Sequence, residues 1–172
     1  YSRQAQTSNR IEDVKSNCEH AVDLYGLLDE ESQEVQYFTV LDMYDDYLWK
    51  LIQRNQIGPA EVVLSSLKKK VAFRSALPVL RVSGHIALLK NDLKTALKNY
   101  IEWRIAVADE IEWYDGNDEQ NKMSNELIQL DDYGYLTSTQ KAAVCSLFSG
   151  DIIFDGVFCE KLESIPALRL VL

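Results

Sequence analysis

Two histidines, His20 and His85, are the only imidazoles in the 172-residue chain, and neither stands in a pattern that makes a reaction centre. His20 follows Cys18 by two positions, a spacing that does not share one helix face, and a metal site needs three or four ligands. His85 follows Arg81 by four, so the pair lies one turn apart on a helix. Lys90, Lys94 and Lys98 repeat the same interval as a separate stripe, and Lys68-Lys69-Lys70 with Arg74 add further cations. Such a stripe is most often a solvated face. Its chemical use would be to dock an acidic peptide or a phosphate-bearing partner.

The carboxylates offer less. Asp45-Asp46 and Asp131-Asp132 are adjacent pairs. Neighbouring side chains on a helix diverge, so these are poor acid/base pairs and read as surface charge. Asp115, Asn117, Glu119 and Glu126 fall where an EF-hand loop places ligands, but Gln120 replaces the glycine of its sharp turn and Lys122 has the wrong charge. The stretch reads as a solvated loop. No Gly-rich phosphate loop, GxSxG or HExxH occurs. Cys18, Cys145 and Cys159 are odd in number and widely spaced, with no CxxC. They read as small core hydrophobes in a reducing compartment. No cofactor or metal is expected.

The net charge of −9 is unevenly spread: −6 over residues 1–57, +6 over 58–105 and −9 over 106–172. An acidic total argues against non-specific nucleic-acid binding, which needs many cations on phosphate. The basic middle third keeps a local anion site open. No apolar run approaches the ~20 residues that span a membrane. The expected setting is intracellular, cytoplasmic or nuclear. The absent initiator Met and the apolar end, Ile165 to Leu172, lead us to expect a fragment of a larger protein.

The positioning elements are helices. Seven glycines and three prolines are few for a turn-rich β fold. Ile11, Val14, Cys18, Ala21, Val22, Tyr25 and Leu28 recur at helical spacing behind a capping box at Asn9-x-x-Glu12. Val35 to Ile52 form a richer second helix, ended by Asn55-Gln56-Ile57-Gly58-Pro59, with Gly after the last turn and Pro just beyond. Pro59 suits the first turn of a third helix, and Pro78 opens a fourth. Asn91-Asp92 breaks the fourth and caps a fifth, through Ala96, Tyr100 and Trp103. A short helix holds Met123 to Leu130, between polar loops at 115–121 and 131–135. Thr137-x-x-Gln140 caps another helix. Residues 151–163 fit either a strand or a short buried helix. The expectation is an all-α chain, one domain over 1–172, of about eight helices in antiparallel pairs.

The unit 77–109 resembles the tetratricopeptide repeat, a helix–turn–helix of about 34 residues. Leu80 stands at its Trp/Leu position, Gly84 at its helix-A glycine, Asn91-Asp92-Leu93 at its turn, Ala96 at its helix-B alanine and Tyr100 at its aromatic. Ser83, Ala87, Trp103 and Ala108 depart from the pattern. Ala60 precedes Ala96 by 36 residues and marks a degenerate upstream unit. The resemblance implies a short α-solenoid; the alternative is an irregular α-helical bundle.

In such arrays helix A lines a groove, which makes Arg81, His85, Lys90, Lys94 and Lys98 the expected partner-binding residues. The function expected is a non-enzymatic protein–protein interaction or scaffold module that binds a partner helix or peptide. A pentatricopeptide-like RNA-binding array and an enzyme whose site is assembled in space are the alternatives.

Overall fold

The computed structural model describes residues 23–69, 76–110 and 116–148, together with Ser16, His20 and Ala21. Among these residues the chain is all-α, with no strand. After a helical turn ending at Tyr25 come α1 (Glu30–Gln53), α2 (Ile57–Lys68), α3 (Leu77–Leu89), α4 (Leu93–Glu110), α5 (Gly116–Asp132) and α6 (Ser138–Phe148). The chain divides into two compact units, one through Val82 and one from Ser83. The sequence-predicted features at 9–15 and 151–163 lie outside the described residues.

In the first unit, Asp29 accepts the Ser32 amide at 2.8 Å and caps α1. These bonds from Ser32 hold the Asp29 carboxyl below the ordinary carboxylate range. Asn55 ends the helix in the left-handed region at φ 55°. Its amide bonds Ile52 O at 2.8 Å, and that of Gln56 bonds Leu51 O at 2.9 Å. This is a Schellman stop. The stop falls at Asn55, the first residue of the expected Asn55–Pro59 break, whereas Gly58, expected just after the last turn, sits with Pro59 inside the first turn of α2. Asn tolerates positive φ well enough to end the helix three residues earlier. Met43, Tyr44, Tyr47, Leu48, Leu51 and Ile52 of α1 are buried, as are Ala60, Leu64 and Leu67 of α2.

The second unit repeats this turn. Asn91 has φ 61°, with Asn91 N on Leu88 O and Asp92 N on Ala87 O, both at 2.9 Å. Asp92 then accepts the Thr95 amide at 3.1 Å and caps α4, as expected. Gly134, at φ 71°, ends α5 with the same pair of bonds, to Asp131 O and Leu130 O. Asn55 and Asn91 are 36 residues apart, as are Ala60 and Ala96, both fully buried.

Gly84 lies at a close helix crossing. A β-carbon there would overlap the Tyr100 ring, standing 2.8 Å from Cζ and nearer still to two other ring carbons. The capping box at α6 forms in both directions: Thr137 N on Gln140 Oε1 at 2.7 Å, and Gln140 N on Thr137 Oγ1 at 3.3 Å. Two polar stretches differ from expectation. The supposed loop at 115–121 is, from Gly116, the start of α5, and α5 continues through Asp131 and Asp132. Asp118 and Glu119 fall in the first turn of α5, where anions suit the helix dipole.

Candidate functional site

Arg81 and His85, placed by the sequence on a partner-binding groove, face the interior of the chain. Arg81 is 0% exposed and donates from Nη2 to Asp45 Oδ2 at 2.5 Å. Asp45 is itself buried, so the reading of Asp45-Asp46 as surface charge holds for Asp46 alone. A guanidinium with a carboxylate against it can enter a helical core because each neutralises the other.

His85 is also 0% exposed. Its Nδ1 lies 2.7 Å from the Tyr100 hydroxyl and its Nε2 lies 3.0 Å from Glu126 Oε2. One imidazole thereby ties α3 to α4 and α5. Burial first, and the Glu126 charge second, push the Tyr100 phenol well above its ordinary value. Tyr100 therefore keeps its hydroxyl proton, and the two ring nitrogens of His85 bridge that hydroxyl to the Glu126 carboxylate. Glu126, at the last position of the rejected EF-hand spacing and within the expected 123–130 helix, is an interior hydrogen-bond partner. The cluster is closed to solvent, and its evident work is to fix three helices.

The lysines remain at the surface. Lys90 belongs to the turn after α3, so only Lys94 and Lys98 share the α4 face. Lys98 lies 3.7 Å from Glu102, one turn on, in an exposed pair. Lys141 and Asp131 pair at 2.5 Å in a half-buried site, so Asp131 too is more than surface charge.

The first unit also holds a concave feature that the sequence did not single out. It is a partly open groove of about 510 Å³. Ala21, Leu24, Tyr25 and Leu28 line it from the N-terminal side; Glu31, Ser32, Gln36, Thr39, Val40 and Met43 line it from α1. Leu24 is 44% exposed and nearby Leu27 is 83% exposed. The available signal was that Leu24 and Leu27 fall off the apolar stripe of the first predicted helix. A second set of apolar positions means a second apolar face.

Cys145 is half-buried and disulfide-bonded, which departs from the expected set of reduced core cysteines. Cys18 and Cys159 lie outside the described residues. Among the described residues no group of three or more His, Cys, Asp or Glu side chains is placed to hold a metal ion. No described helix is long and apolar enough to cross a membrane. Comparison with protein-family models, with curated proteins and with solved structures returns no match.

Proposed function

We propose that the chain is a non-enzymatic protein-interaction module, a scaffold element that receives a helix or extended peptide of a partner. The observation that carries this reading is the groove between the Ala21–Leu28 segment and α1, a concave apolar surface with Leu24 partly in water. Apolar clefts with a few polar groups at their edges are the usual form of a helix-receiving site. The contacts therefore move from Arg81 and His85, which are occupied inside the chain, to the groove residues. Lys90, Lys94 and Lys98 are left as a separate surface suited to an acidic segment.

We further read the hairpins as tetratricopeptide-like units of a short α-solenoid. Recurrence of the left-handed stop and the buried alanine at 36 residues supports this, as does the fit of Gly84 against Tyr100. Repeat architectures gain stability from neighbouring units and leave extended surfaces for binding.

The test is affinity capture from lysate with the wild-type chain, Leu24→Asn, and the Lys94→Glu/Lys98→Glu double variant, each with a nuclease-treated parallel. The expected result is a stable protein set, resistant to nuclease, lost with Leu24→Asn and kept with the lysine variant. Partners lost on nuclease treatment would instead favour the RNA-binding array.

A further inference from the structure

The groove's chemistry restricts what can fill it. Its apolar floor is supplied by Leu24, Tyr25, Leu28, Val40 and Met43. Among the described lining residues, polar groups come from Tyr25, Ser32, Gln36 and Thr39, which can donate and accept hydrogen bonds, and from the exposed carboxyl of Glu31. The surroundings are acidic. In sequence, the exposed acids Asp23 and Asp29 adjoin the lining residues Leu24 and Leu28. The cations of α1, Lys50 and, just past its end, Arg54, come at least seven residues after Met43. Residues 1–57 together carry −6.

We propose, resting on the groove reading above, that the occupant is a basic amphipathic helix: an apolar face seated on Leu24, Tyr25, Val40 and Met43, with Lys or Arg along the edge that meets Glu31 and its acidic neighbours. An acidic helix of the same apolar face would set carboxylates against carboxylates, and like-charge juxtaposition at an interface is strongly disfavoured. An uncharged apolar segment would gain nothing from the acidic edge. The apolar contacts supply affinity and the acids supply partner choice and approach rate.

The experiment uses two synthetic helical peptides with one shared Leu face, one bearing Lys and the other Glu on the polar face. Each is titrated by fluorescence anisotropy against the wild-type chain, Leu24→Asn and Glu31→Lys, with circular dichroism confirming that each variant keeps its helix content. Expected is a preference for the Lys helix of about tenfold or more. That preference should shrink with added salt and with Glu31→Lys, while Leu24→Asn weakens the Lys helix. Equal binding of both helices, each weakened by Leu24→Asn, would overturn the charge assignment and leave the groove standing. Binding of neither helix, or binding indifferent to Leu24→Asn, would overturn the groove itself.

Discussion

Asp45 and Arg81 stand 36 residues apart and meet as a buried ion pair at 2.5 Å. Each lies ten residues before the left-handed asparagine that ends its helix, Asn55 for one and Asn91 for the other. Positions at the same distance from the two left-handed stops thus carry opposite charges and pair with each other. Removing one partner leaves the other charge buried. Asp45→Ala should cost about 3–5 kcal/mol in urea unfolding. Replacing both, as Asp45→Leu with Arg81→Leu, should restore most of that loss. A double variant as unstable as the single would show that the pair is not the source of the cost.

Gly84→Ala should destabilise. At an ordinary helix position the change gains about 1 kcal/mol. Here the new methyl meets the Tyr100 ring, and overpacking of this kind costs about 1–3 kcal/mol. Thermal unfolding of Gly84→Ala alone and with Tyr100→Leu checks this. The smaller side chain should return part of the loss caused by the alanine.

Tyr100 gives the second unit an alkaline weakness. Its phenol is raised above the unfolded value of 10.0, so the folded state holds that proton more tightly than the unfolded state does. The associated stability is complete below about pH 10 and is lost as pH rises toward the folded value. Tyr100→Phe should flatten that decline. At neutral pH it should cost about 1–3 kcal/mol, because His85 Nδ1 loses its hydrogen-bond partner. Urea unfolding across the alkaline range separates the two effects.

Two exposed caps act at the other end of the pH scale. Asp29 and Asp92 are both lowered from 3.8, chiefly by the hydrogen bonds from Ser32 and Thr95. Their contribution is present above the unfolded value and is lost as pH falls through the lower folded value. Asp92→Asn keeps an oxygen for the Thr95 amide but carries no charge. It should therefore show a shallower acid limb in a helicity-against-pH profile than the wild type.

The helix pairs were legible because apolar residues recur every three or four positions and because Asn91-Asp92 and Thr137-x-x-Gln140 are local signals. Gly84, Ala96 and Tyr100 were legible through the spacing of one hairpin. The interior polar residues were not. Periodicity assigns a charged residue to the solvent face unless its partner is known, and the carboxylates that meet Arg81 and His85 lie 36 and 41 residues away. Glu126 was hidden further by the polar run before it, which looks like a loop although Glu, Gln and Lys favour helix. The groove was missed because only one apolar stripe was read on the first helix, and Leu24 and Leu27 lie outside it. They then had no role.

Hydrogen exchange of the chain, alone and saturated with the partner it captures, tests the interaction site most directly. The expected result is new protection over Ala21–Met43, with Leu93–Glu110 unchanged. Protection confined to Leu93–Glu110, with Ala21–Met43 exchanging as before, would contradict it and return the site to the lysine face.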